Sequence, residues 1–181
     1  MGLGKKVLIT GIGVISPVGT GKAKFWNNLV NGISGIGQVT RFDASGFTTR
    51  VAGEVKNFNP EEYLDKKDVR RMDRFTQFAV VAAKMAIDDA GLNLKKINKD
   101  RAGVVFGTGI GGTQTFEEQY NVLSEKGPGR VSPFFIPMMI GNMAAGQIAI
   151  HLGLAGPNYT IVNACASSTN SIGEAFKLLQ R

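Results

Sequence analysis

The chain has 181 residues, a formal charge of +7, 24 glycines, one cysteine and one histidine. That length holds one domain with a real core and excludes two large ones, and a hydrophobic content of 43% is that of a globular protein rather than a disordered one. One cysteine excludes an internal disulfide or a cysteine-built zinc site, one histidine argues against an all-protein transition-metal centre, and no apolar run approaches the roughly 18 residues of a membrane span.

The opening Met1-Gly-Leu-Gly-Lys-Lys has neither the apolar region of a secretion signal nor the Ser/Thr at the sixth position that myristoylation prefers. A cytoplasmic protein is expected. The basic balance is compatible with nucleic acid, anionic lipid or an acidic protein partner, or carries no message.

Residues 5–10 read as a short buried strand, apolar and β-branched, ended by a tight turn at Gly11-Ile-Gly13. Phe25, Trp26, Leu29 and Val30 then fall at helical spacing. Residues 31–60 read as irregular, with strand-like pieces near Val51 to Val55. Residues 74–91 form the clearest helix, with Phe75, Phe78, Ala79, Ala82, Met85, Ala86 and Ala90 on one face and Gly91 as its stop. A second strand is expected at 102–106, then a glycine loop and a helix over about 113–125. Residues 126–135 are a loop around Gly127-Pro128-Gly129.

A small-residue helix is expected over about 137–152, with Gly141, Ala144, Ala145 and Gly146 permitting close packing. A third strand covers 158–163, and a helix runs from near Ala166 to the last residue. Strands alternating with helices predict an α/β fold with a mostly parallel sheet. The final Lys177-Leu-Leu-Gln-Arg181 is still helical in pattern, so the chain is expected to be part of a longer one.

Cys165 carries the clearest chemical signal. A strand runs into a sharp turn at this residue, flanked by the small Ala164, Ala166, Ser167 and Ser168. The following helix aims its N-terminus at the sulfur, which favours the thiolate, and the Cys165 N–H can face a developing oxyanion. This is the logic of a nucleophile elbow. A buried structural cysteine is the bland alternative.

The run Asn163-Ala-Cys-Ala-Ser-Ser-Thr-Asn-Ser-Ile-Gly-Glu-Ala175 closely resembles the active-site motif of elongating type II β-ketoacyl-acyl-carrier-protein synthases. Val7-Leu-Ile-Thr-Gly-Ile-Gly-Val-Ile-Ser-Pro-Val-Gly19, Arg71-Met-Asp-Arg-Phe75, Gly107-Thr-Gly-Ile-Gly-Gly112, Ser132-Pro-Phe-Phe-Ile-Pro137 and Gly153-Leu-Ala-Gly-Pro157 match the same family in its own order. The resemblance implies a thiolase-like layered αβαβα fold, with residues 1–181 as its N-terminal half. It implies acyl transfer to Cys165, then decarboxylative Claisen condensation with malonyl-loaded acyl carrier protein in fatty-acid elongation. No cofactor and no metal are implied.

The resemblance further places Ile110 in the acyl pocket, and Phe135 at the pocket floor across a homodimer interface. Lys67, Arg70 and Arg71, within the basic cluster Lys66, Lys67, Arg70, Arg71 and Arg74, match positions that dock the acidic acyl carrier protein, and Arg130 adds to them. The family's two catalytic histidines, its lysine and its phenylalanine gate come from a second half not present here. His151 matches neither histidine and reads as structural, so this chain is expected to be inactive alone.

Three rival readings remain. Gly107-x-Gly109-x-x-Gly112 fits a dinucleotide loop, yet no strand with a ribose-binding acid follows. A nucleic-acid binder would interleave aromatics with the basic cluster, and none are interleaved here. A polyketide-type ketosynthase, or a non-catalytic homologue, is the nearest alternative.

Overall fold

Residues 5–181 are described in the computed structural model of the chain. The reading of the extreme amino terminus for targeting signals rests mainly on Met1–Gly4, outside the described residues. The first apolar run departs from expectation: residues 5–10 form no strand, and Leu8 and Ile9 are 77% and 83% exposed. A segment apolar on both faces becomes a strand only where a sheet edge and two covering layers receive it. Glycine sets the path of residues 11–13, because a Cβ on Gly11 or Gly13 would collide with the carbonyl oxygens of Ala86 or Ala82. The two glycines therefore serve close approach of backbone to helix, more than a turn.

Ser16 and Gly19 close a turn through two backbone hydrogen bonds of 3.1 Å. Helix α1 (Lys22–Val30) comes next, as expected, and Lys22 pairs with Asp89. That hydrogen bond, joined by the Ile12 N–H at 2.9 Å, holds the Asp89 carboxyl below its ordinary range. Strands β1 (Ile36–Gln38) and β2 (Val51–Gly53) form an antiparallel pair with Ile36 opposite Gly53. A short helix, α2 (Lys66–Val69), leads to the long α3 (Arg74–Asp89). Gly91, at φ +60°, ends the helix in the left-handed region; its N–H and that of Leu92 return to the carbonyls of Asp88 and Ile87.

Strand β3 (Val104–Gly107) is followed by α4 (Thr113–Lys126), a single turn at Pro128–Arg130, α5 (Phe135–Met139) and α6 (Met143–Leu152). Strand β4 (Asn158–Ile161) then lies parallel to β3, from Val104 opposite Asn158 to Gly107 opposite Ile161. The intervening helices supply the crossover that a parallel pair needs. Helix α7 (Ser167–Gln180) packs back on both strands. The parallel expectation therefore holds for β3 and β4, while the other described pair is antiparallel.

The helix expected over 137–152 is two helices, broken around Ile140 and Gly141. The break is where the loop after β3 presses in. The Gly112 N–H donates to the Met139 carbonyl at 2.8 Å, and a Cβ on Gly141 would sit 3.0 Å from Thr108 Cγ2. A continuous helix would occupy the space of that loop.

The core lies where α3 crosses α6. Val80, Val81 and Ala144 are fully buried there, among Phe58, Leu64, Met72, Ala79 and Ile148. Small residues permit this crossing at Ala144, as expected, whereas a Cβ on Gly146 would meet nothing within 4 Å. The apolar face read for α3 is incomplete, because the helix is covered on more than one side. Val80 and Val81 face the core, while Ala82 and Ala86 receive the glycine backbone of residues 11–13.

Candidate active site

Strand β4 delivers the chain to Asn163, and one turn at Ala164–Ala166 joins it to α7. Ala164 sits at φ +44°, a left-handed conformation that a side chain adopts only under constraint. Cys165 is next, an exposed free thiol. It stands just ahead of the first turn of α7, where backbone N–H groups lack intrahelical acceptors. The expected elbow is thus present: a strand end, a strained residue, the thiol, then a helix. Among the described residues nothing buries the Cys165 thiol.

Glycine lets α7 come this close. A Cβ on Gly107 would lie 2.5 Å from the Ser167 carbonyl oxygen and 2.8 Å from Ser171 Oγ. Ser167 itself is 2% exposed. In the sequence Ser167 is only a small neighbour of the thiol; in the fold its hydroxyl is a junction of hydrogen bonds.

Ile110 is 75% exposed and lines an apolar cleft of about 260 Å³ with Gly112, Thr113, Phe116 and Met139. Phe135 stands behind this wall, its ring 6.2 Å from that of Phe116. Gly141 lies between the Ile110 loop and the strand end that leads to Cys165. A Cβ on Gly141 would lie 3.5 Å from the Ile110 carbonyl oxygen and 3.7 Å from Val162 Cγ2, three residues before the cysteine. Three of the four glycines in the 107–112 loop answer to protein contacts: Gly107 against Ser167, Gly111 at φ +115° against the Met139 carbonyl, and Gly112, where a Cβ would meet Asp73 at 3.0 Å. A Cβ on Gly109 would meet nothing within 4 Å.

Asp73 is the residue that sequence reasoning left unread. It is buried, accepts the Phe75 N–H at 3.1 Å as the cap of α3, and accepts both the N–H and the hydroxyl of Thr115 at 2.9 and 2.7 Å. One carboxylate thus joins the N-termini of α3 and α4. An aspartate directly before an apolar-periodic run is a helix-start signal that could have revealed it.

The basic cluster divides. Lys66, Lys67, Arg70 and Arg71 are exposed on and after α2, and Arg130 is exposed on the turn before α5. Arg71 lies over the Phe134 ring at 4.8 Å, which brings α2 beside the segment that carries Arg130. Arg74 turns inward instead. It lies over Phe78 at 4.8 Å and donates to the Val55 carbonyl at 3.0 Å. His151 is structural, as expected: Nδ1 lies 2.9 Å from the Gln147 carbonyl oxygen and Nε2 3.2 Å from Asp68 Oδ2, linking α6 to α2.

A strained cysteine elbow between a parallel strand and a helix, in this layered arrangement, defines a domain of the thiolase-like ketosynthase fold. The chain belongs to the β-ketoacyl synthase family: residues 4–181 match its model, described as "Beta-ketoacyl synthase, N-terminal domain". It is 52% identical over all 181 residues to 3-oxoacyl-[acyl-carrier-protein] synthase 2 of Staphylococcus aureus, and spans 44% of that protein. Among solved structures, the ishigamide ketosynthase/chain length factor matches at a TM-score of 0.90 and 30% identity, over 98% of this chain and 45% of that one. A type II polyketide ketosynthase, AntDE, in complex with its acyl-carrier protein matches at a TM-score of 0.79 and 20% identity, over 93% of this chain and 45% of the other. The expected fold class is therefore borne out, and the chain spans less than half the length of these relatives.

Proposed function

We propose that the chain is the N-terminal half of a 3-oxoacyl-acyl-carrier-protein synthase of fatty-acid elongation. The observation that carries this reading is the exposed thiol of Cys165 on a strained elbow at the start of α7. The thiolate attacks the carbonyl of an acyl-carrier thioester; a C–S bond forms and the carrier thiol leaves. Malonyl-loaded carrier protein then loses carbon dioxide, and the resulting carbanion attacks the acyl-Cys165 thioester. A C–C bond forms, the C–S bond breaks, and the thiolate returns. The product is a β-ketoacyl chain two carbons longer. In this reading the Cys165 N–H stabilises the oxyanion of the acylation and of the condensation.

Ile110 and Phe135 belong to the acyl pocket in this reading, supported by the apolar cleft that Ile110 lines and by the nearness of Phe135 to its wall. Lys67, Arg70, Arg71 and Arg130 form the carrier-docking face, supported by their exposure around α2 and Phe134. Phe116, Tyr120 and Leu123 leave an exposed apolar stripe along α4 that a second protomer would cover, which supports the homodimer. No described helix is long and apolar enough to cross a membrane, in keeping with a cytoplasmic enzyme. A polyketide-type ketosynthase is the alternative, favoured by the fold of the polyketide relatives; 52% identity to a 3-oxoacyl-[acyl-carrier-protein] synthase against 30% to the ishigamide ketosynthase/chain length factor weighs against it.

The test is intact-mass measurement of the complete enzyme after incubation with acyl-carrier thioesters of increasing length. An acyl-sized gain is expected on the native protein and none on Cys165→Ala. Ile110→Phe should shift the gain to shorter chains. No gain on the native protein would overturn the reading, and unchanged length preference in Ile110→Phe would remove Ile110 from the pocket.

A further inference from the structure

The hydroxyl of Ser167 is buried at the point where β3 and β4 part, two residues beyond the thiol. The last backbone rung between the strands is the Thr108 N–H donating to the Ile161 carbonyl at 3.2 Å. Beyond it the chains diverge, β3 into the loop that carries Ile110 and β4 into the cysteine elbow. Ser167 Oγ fills the gap. It accepts the Asn163 N–H at 2.7 Å, and its single proton is shared between the Thr108 carbonyl at 2.9 Å and the Ala164 carbonyl at 2.8 Å. Three backbone groups beyond the ladder converge on this one side chain. An alanine here would take that partner from the part-buried contacts of the Asn163 N–H and the Thr108 carbonyl, leaving the two chain ends without their shared tether.

We infer that Ser167 is a positioning residue for Cys165, locking the strained elbow and the Ile110 loop into one rigid body. Two features of the contacts argue for this over generic packing. The hydroxyl binds the residues on either side of the strained bond, Asn163 N–H and Ala164 C=O, so it holds the conformation that presents the thiol. It also binds Thr108, two residues from Ile110, so the pocket wall and the nucleophile are fixed relative to each other. Losing that registration displaces the acyl carbonyl from thiol and oxyanion amide together, and a misplacement near 1 Å costs about 100-fold in rate.

This inference rests on the condensing-enzyme reading, and the experiment separates the two. On the complete enzyme, two rates are measured at Cys165: acylation by an acyl-carrier thioester and alkylation by iodoacetamide. The second needs the thiol but no alignment with pocket or oxyanion amide. In Ser167→Ala the acylation rate should fall by about 100-fold, with alkylation within about threefold of native and carrier KM unchanged. Ser167→Thr keeps the hydroxyl in reach of the carbonyl three residues back, so it should recover most of the acylation, and it carries the test should the alanine variant not fold. Equal losses of acylation and alkylation in Ser167→Ala, or native acylation in that variant, would overturn the inference. So would failure of Ser167→Thr to recover acylation while alkylation remains native. A native enzyme that alkylates but never acylates would instead overturn the functional reading, and this inference with it.

Discussion

Asp73 shows how one side chain carries several structural duties. Its carboxylate caps α3 and takes two hydrogen bonds from Thr115, at the start of α4. Loss of a helix cap costs about 1 kcal/mol, and stranding a buried N–H costs about 1–3 kcal/mol more. Asp73→Ala should therefore lower the Tm by about 2–5 °C, read by thermal unfolding of the complete enzyme. A shift under about 2 °C would mean that water replaces the carboxylate at little cost. Gly112 belongs to the same junction, because only a missing Cβ leaves room for Asp73 and the Met138 carbonyl.

Among the helices, α2, with the two residues that follow it, carries most of the cations proposed to dock the carrier protein. It is only four residues long, too short to be stable alone. Tertiary contacts hold it. Asp68 meets His151 of α6, and the Gln77 side-chain amide donates to the Val69 carbonyl at 3.1 Å. These contacts leave Lys67, Arg70 and Arg71 exposed, while Arg74 is drawn into the protein. Opposite charge on a partner speeds encounter, and the gain falls with salt. Reversing Lys67 and Arg71 to Glu should raise the KM for acyl carrier protein by about tenfold and leave free acyl thioesters nearly unaffected. Equal loss on both substrates would refute specific docking.

The assembled chain leaves much apolar surface uncovered. Ile172 is 69% exposed on α7, Phe176 and Leu179 share that helix, and Leu8 and Ile9 are open near the amino end. Monomeric proteins rarely leave such patches bare, and the relatives are more than twice as long as this chain. Within the 181 residues the single histidine is engaged with Gln147 and Asp68. In the proposed function the decarboxylating histidines and lysine are supplied from outside these residues. The 181-residue chain alone should make no β-ketoacyl product from acyl- and malonyl-carrier protein. Product detected in that assay would place the decarboxylating groups within these residues.

Local pattern was enough for the helices α1, α3, α4 and α7, for β3 and β4, and for the elbow that carries Cys165. Each of these is written in residues close in sequence: apolar spacing, a glycine stop at Gly91, small residues around a thiol. The family motifs added the acyl chemistry proposed for Cys165. The features that local pattern misread depended on partners far along the chain. Residues 5–10 have strand composition, but composition does not supply a sheet edge. The helix at 137–152 breaks because the 108–112 loop, some thirty residues earlier, occupies its path. Arg74 reads as one more surface cation until Phe58, Phe78 and Val55 close over it. Ser167 reads as merely small until Thr108 and Asn163 converge on its hydroxyl. Spacing along the chain records which face a residue shares, and hydrogen bonds and packing across the fold decide what that face meets.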